Sequence, residues 1–335
     1  MRGITGLVVL ASSLAACRQT VLIDQSGVDA SGGIDAGQTF CSGLPAEFLI
    51  QPPEVMVALD RSSTMNARFG DSTVLGTARD ALDVYASRYQ KVANFGYIEF
   101  PGGSSLCTGQ AGCCASNPKP PNPNYVPFDM ALHACDQNSL PSCATASYQR
   151  PTVPALTGCE VVFSSRPDQT SRYVLLITNG MPDCGSGPNS GCWDAQTTVT
   201  DMARKYFVNT VVVAPGQLDQ ATSDCLEGMA INGGATTKPY LPPASNPTDL
   251  ANTIADVIRG FAMDACRLNL TTRIADSDRA AVTWKDSQIP RDRNSGWELV
   301  DNGFTVILHS QWCDHLIEDG PAVFAVFPDC NPTHH

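Results

Sequence analysis

The sequence predicts an α/β fold built on a doubly wound, mostly parallel sheet. Short apolar runs alternate with longer stretches of helical periodicity between residues 53 and 263. Such alternation favours parallel β-α-β units with right-handed crossovers. Two segments depart from it: residues 101–150 are rich in Gly, Pro, Asn and Cys, and residues 266–335 contain short strand-like runs between turn residues. We therefore predict one α/β domain with a Cys-rich insertion and a small C-terminal all-β appendage.

The predicted elements follow from the spacing of apolar residues along the chain. Val55–Leu59 is an unbroken apolar run typical of a buried strand, residues 72–89 carry one apolar face at helical spacing, and residues 95–100 alternate as a second strand. Tyr173–Ile177 has the strongest buried-strand pattern. Further elements of the domain are helices at 128–134, 154–163, 193–206 and 248–263 and a strand at 208–213. The appendage strands are predicted at 268–274, 281–284, 297–300, 304–308 and 322–327.

The N-terminus has the pattern of an export signal. Arg2 precedes an uncharged, apolar stretch at residues 4–16, which is too short to span a bilayer as a helix. The run Leu14-Ala15-Ala16-Cys17 resembles the lipobox of bacterial lipoproteins. That resemblance implies removal of residues 1–16 and lipidation of Cys17, with residues 17–40 as a flexible, Gly-rich linker. The alternative is an ordinary secreted protein in which Cys17 forms a disulfide.

The expected location is the outer membrane or cell surface of a Gram-negative bacterium. Arg18 follows Cys17, where an Asp would often signal retention in the inner membrane. The formal net charge of -12 over 335 residues argues against nucleic acid as a partner and against charge-driven binding of anionic lipid. The membrane contact that we predict is therefore the lipid anchor alone.

The cysteines indicate disulfides rather than zinc sites. Fourteen cysteines accompany an export signal, whereas no paired C-x-x-C occurs and only five histidines are present. Setting Cys17 aside leaves thirteen (14 − 1), which allows at most six bridges and one leftover thiol. Cys184 with Cys192 is the first predicted pair, because a short loop rich in Gly, Ser and Pro separates them. Cys313 with Cys330, which flank the last appendage strand, is the second.

Polar segments follow two of the predicted strands. The first strand ends in Asp60-Arg61-Ser62-Ser63-Thr64, and the strand at 173–177 leads into Thr178-Asn179-Gly180. Open sheets of this kind bind ligands beyond the carboxyl ends of their strands. These segments resemble the D-x-S-x-S and L-L-x-T-D-G motifs of von Willebrand factor A (vWA) domains, which are Rossmann-like. The resemblance covers roughly residues 53 to 263 and implies a vWA domain at 41–265.

A narrower resemblance and one more disulfide follow from this family. Arg61, Thr152–Leu156 and Ile289–Asp292 are similar to segments of Cys-rich bacterial vWA lipoproteins. Because the two ends of a vWA domain lie near each other, the resemblance also implies a clasp between Cys41 and Cys266. The five cysteines between residues 107 and 143, with Cys159 and Cys225, stay unassigned.

The resemblance implies a metal site that binds Mg²⁺ or Mn²⁺ and leaves one coordination position for a carboxylate of the partner. Hard oxygen donors suit such cations. The implied ligands are Asp60, Ser62, Thr64, Thr152 and Asn179.

Three departures from the family pattern weaken this metal site. Thr64 replaces the second Ser of the motif but keeps the hydroxyl. Asn179 stands where the family has Asp, so one negative charge is lost. Counting back from Ala155 places the family's distant Thr at Arg150, whereas Thr152 takes that role if the loop is shifted. A guanidinium at Arg150 would pair with Asp60 and fill the metal position. The non-metal alternative is a structural hydrogen-bond network of Asp60, Ser62 and Thr64.

The predicted function is binding without catalysis. We expect a lipoprotein that displays a vWA domain for adhesion-like contact with an unknown protein or cell-surface ligand. A scaffold of the cell envelope is the alternative. A hydrolase is the remote one, because Ser62 has no obvious base and the histidines lie in dissimilar segments, at His133, His309 and His315. Three tryptophans of the appendage suit either core packing or sugar stacking, namely Trp284, Trp297 and Trp312.

Overall fold

A computed structural model describes most of the chain beyond the N-terminal segment. The described residues are 41, 44–102, 106–107, 113–134, 149–166, 170–184, 190–216, 218–234 and 246–330. The predicted signal peptide, the lipidated Cys17 and the linker lie outside them. Among the described residues, no helix combines the length and the apolar composition that crossing a membrane requires.

The central sheet has five strands, four parallel and one antiparallel. Its spatial order is β10-β9-β2-β5-β8, and β8 is the antiparallel edge strand. The strands are β2 (Glu54–Asp60), β5 (Asn94–Phe100), β8 (Lys119–Asn122), β9 (Arg172–Ile177) and β10 (Val208–Val213). All seven residues of β2 are buried. A strand with neighbours on both edges and both faces covered reads as a continuous apolar run, which explains its sequence.

Helices cover both faces of this sheet. Val55, Val57 and Leu59 of β2 belong to a core shared with α1 and α6, whereas Met56 and Ala58 point into a second core shared with α3, α4 and α5. The helices of the domain are α1 (Val74–Tyr89), α2 (Val126–Leu132), α3 (Thr152–Ser164), α4 (Gly191–Tyr206), α5 (Gln220–Asn232) and α6 (Pro247–Ala262).

The sheet strand β8 and the helix α5 were absent from the sequence prediction. The strand β8 contains Pro120 and Pro121, which argue against a strand in sequence, but an edge strand tolerates proline because one side of it needs no ladder hydrogen bonds. The helix α5 begins with the cap Asp219, whose carboxylate accepts a hydrogen bond from the Thr222 N–H at 2.7 Å. Polar and small residues weaken its periodicity, and its apolar side packs against α4 and β10.

The chain after α6 contributes most of two antiparallel sheets, one of which also contains β1 (Phe48–Leu49), and one α-helix. The sheet β1-β11-β15-β14 joins Phe48–Leu49, Arg267–Leu270, Thr305–Leu308 and Trp297–Val300, and the sheet β13-β12-β16 joins Ser287–Ile289, Ala281–Trp284 and Phe324–Phe327. Short two-stranded pairs also occur at β3 (Arg68–Phe69) with β4 (Ser72–Thr73) and at β6 (Leu106–Cys107) with β7 (Cys114–Ala115).

The prediction of an all-β appendage is wrong, because α7 (Gln311–Asp319) lies between β15 and β16. Its Cys313, Leu316 and Ile317 are buried at helical spacing against the core that includes α1. Nine residues give too short a window to separate this face from a turn, so the prediction passed over the helix. The C-terminal part also shares its apolar core with the α/β domain through residues such as Leu268 and Trp297.

The disulfides differ from every predicted pair. The structure joins Cys41–Cys330, Cys113–Cys184, Cys192–Cys225 and Cys266–Cys313. The predicted pairs Cys184–Cys192, Cys313–Cys330 and Cys41–Cys266 are therefore wrong, although each of their six cysteines is bonded.

Each correct partner is set by tertiary packing rather than by proximity in the chain. Cys192 on α4 faces α5, which carries Cys225, whereas Cys184 faces the insertion that carries Cys113. The residues before β1 pair with the last strand, as the Ala46 N–H donates to the Val326 carbonyl, and this brings Cys41 to Cys330. Cys266, which ends the short 3-10 helix after α6, is thereby left to bond Cys313 on α7.

Candidate functional site

The predicted site residues meet at the carboxyl edge of the central sheet. The strands β2 and β9 are parallel neighbours, with Leu59 opposite Ile177. Asp60 ends β2, and Asn179 follows β9 by two residues. Because parallel neighbours end at the same edge, the two loops that follow them face each other.

Asp60 is a fully buried carboxylate. Its Oδ1 accepts a hydrogen bond from the Ser62 N–H at 2.7 Å, and its Oδ2 accepts one from the Thr178 hydroxyl at 2.7 Å. Burial raises the pKa of Asp60, and the hydrogen bonds from Ser62 and Thr178 and the charge of Arg150 act against that rise. The carboxylate therefore depends on nearby donors and on a cation.

A chain of side-chain hydrogen bonds joins the two loops. The Thr64 hydroxyl donates to Asn179 Oδ1 at 2.7 Å, and Asn179 Nδ2 donates back to the Thr64 carbonyl at 3.0 Å. Ser62 Oγ lies 3.0 Å from Thr64 Oγ1. Because the Thr64 hydroxyl already donates its one hydrogen to Asn179, the Ser62 hydroxyl is the donor of that pair.

Arg150 brings a guanidinium into the same cluster. Its Nη2 donates to Thr64 Oγ1 at 3.0 Å, and its Nε lies 3.8 Å from Asp60 Oδ2. The side chain is 17% exposed, so it lies inside the cleft instead of on the surface. Its backbone N–H donates to Asp183 Oδ1 at 2.6 Å, which ties the loop before α3 to the loop after β9.

These residues do not fit a divalent cation in the observed arrangement. Thr64 Oγ1 accepts hydrogen bonds from Ser62 and Arg150, so both of its lone pairs are in use. A guanidinium already lies beside the single carboxylate of the cluster. Thr152 is buried, and its hydroxyl donates to the Arg150 carbonyl at 3.4 Å instead of joining the cluster. The side chains brought together are Asp60, Ser62, Thr64, Thr178, Asn179 and Arg150.

A second group of side chains of metal-ligating types is formed by α1, α2 and the residue that caps the C-terminus of α2. The ligand atoms of Asp83, Asp129 and His133 lie within 4.8 Å of one another, and all three side chains are partly exposed. His133 Nε2 lies 3.5 Å from Asp83 Oδ1 and 3.6 Å from Asp129 Oδ1. The sequence analysis missed this trio, although the i,i+4 spacing of Asp129 and His133 on a helix was a usable signal.

The other candidate residues lie away from the cluster and have structural partners. Trp297 is buried, so it belongs to the core. The Trp284 ring stacks on His315 at 4.2 Å between centroids, and its Nε1–H donates to Asp319 at 2.9 Å. Trp312 donates to the Ser295 carbonyl. These contacts favour packing over sugar stacking for the tryptophans.

This chain is similar to known proteins in its fold. No family profile and no curated protein matches this chain. The pilus adhesin SpaC from Lactobacillus rhamnosus GG is similar in two crystal structures. One has a TM-score of 0.50 at 10% identity, over 85% of this chain and 40% of that chain. The other, in the open conformation, has a TM-score of 0.48 at 13% identity, over 85% of this chain and 39% of that chain. This chain thus spans about two fifths of SpaC. This similarity is one of fold alone.

Two further solved structures are similar to part of this chain. The vWF domain of the type V pili tip protein Mfa5 from Porphyromonas gingivalis has a TM-score of 0.45 at 7% identity, over 63% of this chain and 95% of that chain. Manganese-loaded TRAP protein from Plasmodium vivax has a TM-score of 0.41 at 14% identity, over 65% and 76%. Identities this low concern the fold alone.

Proposed function

We propose that this protein is an adhesion-like binding module displayed at the bacterial cell envelope. The chain would be tethered through a lipid on Cys17, at the outer membrane or cell surface, and the vWA-like domain would contact a protein partner. The contact face that we propose is the carboxyl edge of the central sheet, formed by the loops after β2 and β9 and by the start of α4. The similarity in fold to the pilus adhesin SpaC agrees with such a role.

The observation that carries this proposal is an exposed tryptophan at that edge. Trp193 lies in the first turn of α4 and is 72% exposed. Gly191, where α4 begins, packs against the Pro182 carbonyl, so Trp193 is held next to the loop after β9. Large aromatic residues with little to cover them are costly to leave in water and are enriched at binding hot spots.

The absence of catalysis is part of the proposal and is supported by the surroundings of Ser62. Its hydroxyl pairs with Thr64, and the histidines in the described part of the chain have other neighbours. His133 lies beside Asp83, His309 lies 3.2 Å from Glu298, and His315 stacks on Trp284. A nucleophilic Ser needs a base within hydrogen-bond reach.

A matched pair of substitutions tests the proposed face. Phe207 is also 72% exposed but lies at the opposite end of α4, so Phe207→Ala removes a similar exposed aromatic area from the other edge of the domain. We expect Trp193→Ala to weaken binding of the labelled full chain to intact envelope-bearing cells by about tenfold or more, as for a hot-spot residue, and Phe207→Ala to leave it unchanged. Equal binding by both variants and the wild type would contradict the proposal.

The scaffold alternative is favoured by one observation, the guanidinium inside the site. A chelator distinguishes the scaffold from a domain that binds its ligand through a metal ion. If the protein still binds cells in EDTA, the contact needs no metal, whether its role is adhesive or structural. Loss of binding in EDTA with recovery in Mg²⁺ would support the metal-dependent form of the proposal. The same cells and labelled chain serve for both measurements.

A further inference from the structure

The charge balance at Asp60 leads to an inference about which cation this site uses. A buried carboxylate is stable only with donors and a positive charge close by. Two arginines flank this loop with equal exposure, 17% for each side chain. Arg61 is committed to Glu99, with which it forms a salt bridge. Arg150 alone of the two approaches Asp60.

We propose that Arg150 is a built-in cation that replaces a divalent metal in this site. The site would then be complete without any metal, and Arg150 would be the group that excludes one. This inference deepens the proposed function, since it concerns the same contact face, but it can be tested on the chain alone.

Two physical reasons support the exclusion of a metal. A guanidinium stays charged at any physiological pH, so a divalent ion at the same place would meet a fixed positive charge. The Arg150 guanidinium also donates a hydrogen bond to one lone pair of Thr64 Oγ1, and the Ser62 hydroxyl donates to the other, so neither lone pair is left for a metal ion. Asn179 is uncharged, so Asp60 is the only negatively charged side chain of the cluster that could attract a metal ion.

Gly180 provides the room for the guanidinium. A Cβ at position 180 would lie 2.3 Å from Arg150 Nε and 2.4 Å from Arg150 Cζ, which is closer than real Cβ contacts. The clash involves only the far end of a flexible side chain. Gly180→Ala is therefore expected to move the Arg150 side chain out of the cleft while the backbone keeps its path. This gives a second way to empty the position without removing the charged residue.

The experiment is a Mn²⁺ titration by calorimetry, with loss of the free Mn²⁺ signal in electron paramagnetic resonance as a second readout. Every protein carries His133→Ala, because the trio on α1 and α2 also holds ligand atoms. The variants are Arg150→Ala, Gly180→Ala and, as matched control, Arg61→Ala, which removes an equally exposed guanidinium from the neighbouring position. Asp60→Ala is added to each to identify binding at this site.

We expect no Asp60-dependent Mn²⁺ binding in the parent or in Arg61→Ala, and one Asp60-dependent Mn²⁺ per chain in Arg150→Ala and Gly180→Ala. Adding Asn179→Asp to Arg150→Ala should tighten that binding by about tenfold, since a carboxylate replaces an amide. Circular dichroism and the melting temperature check that each variant is folded.

Two results would overturn the inference. Asp60-dependent Mn²⁺ binding by the parent would show that a metal and Arg150 coexist. Folded Arg150→Ala, with and without Asn179→Asp, that binds no Mn²⁺ would show that Arg150 does not replace a metal. Neither result bears on the Trp193 comparison, so failure of this inference and failure of the proposed binding role are separate outcomes.

Discussion

Cys159 is a single residue whose chemistry follows from its burial. It lies in α3, is fully buried, and is a free thiol among the described residues. Burial raises its pKa to about 12. The thiolate is the reactive form of cysteine, so this thiol is protected both by access and by protonation. The cysteine count had left one thiol over, but nothing in the sequence indicated which.

We therefore predict that Cys159 reacts with iodoacetamide only after unfolding. Native protein at pH 8 should show no alkylation of the Cys159 peptide by mass spectrometry, whereas protein in concentrated guanidinium without reductant should be labelled there. Rapid labelling of the native protein at Cys159 would contradict the buried position. Other cysteine peptides in the same digest report whether the disulfides stayed intact.

Asp219 gives a pH-dependent contribution to the end of one helix. Its carboxylate caps α5, and the hydrogen bond from the Thr222 N–H lowers its pKa. A lowered pKa in the folded state means that the stabilisation is present above the usual pKa of Asp and is lost as the pH falls through the lowered value.

The variant Asp219→Asn should remove this pH dependence while keeping a good cap. We expect the difference in unfolding free energy between wild type and variant to shrink between pH 5 and pH 2, measured by urea denaturation. A difference that stays constant over this range would show that the cap does not titrate. Thr73→Asn is the control, because Thr73 caps α1 with an uncharged side chain.

At the scale of elements, the loop after β9 is fixed by contacts from outside its own strand. The disulfide Cys113–Cys184 ties its end to the insertion, and Asp183 accepts the backbone N–H of Arg150. Both cysteines are buried. The loop is thus held by β9 at one end and by these two contacts at residues 183 and 184, which keeps its polar groups in place.

Replacing Cys113 and Cys184 together by Ser should loosen this loop. We expect faster amide hydrogen exchange at residues 178–184 in the double variant, with little change in the strands of the sheet. Cys192→Ser with Cys225→Ser is the matched control, since it removes a disulfide between α4 and α5 that does not reach the loop. Equal exchange at 178–184 in both double variants would argue against the anchoring role of Cys113–Cys184.

At the scale of the whole molecule, the two ends of the described chain are joined. Cys41 bonds Cys330 across a sequence separation of 289 residues, and β1 pairs with β11 in the C-terminal sheet. The apolar core that packs on α1 continues into the C-terminal strands. The C-terminal part is thus folded onto the α/β domain instead of forming a separate unit.

Loss of this terminal disulfide should cost more than loss of a short-range one. In the chain-entropy description, closing 289 residues restricts the unfolded chain more than closing the 33 residues between Cys192 and Cys225, by about 2 kcal/mol. We expect Cys41→Ser with Cys330→Ser to lower the unfolding free energy by that much more than Cys192→Ser with Cys225→Ser, in urea denaturation. A smaller loss for the terminal pair would contradict the prediction.

Much of the central domain could be predicted from the sequence, because its signals are local. The apolar runs of β2 and β9 mark strands buried on both faces, and the amphipathic pattern of α6 marks a helix. The convergence of Asp60 and Asn179 also follows from sequence once the strands are parallel, since polar residues that follow parallel strands meet at one edge.

What the tertiary structure alone decided are the relations between distant segments. The disulfide partners depend on which helices and loops pack together, so spacing along the chain pointed to the wrong pairs. The helix α7 and the strand β8 are stabilised by contacts with segments that are distant in sequence, so the residues around each of them did not indicate the element. From the sequence, either Arg150 or Thr152 could have occupied the position beside Asp60. The fold selects Arg150, because Gly180 leaves space for the guanidinium and Asp183 holds its backbone, and both belong to a loop about 30 residues further along the chain.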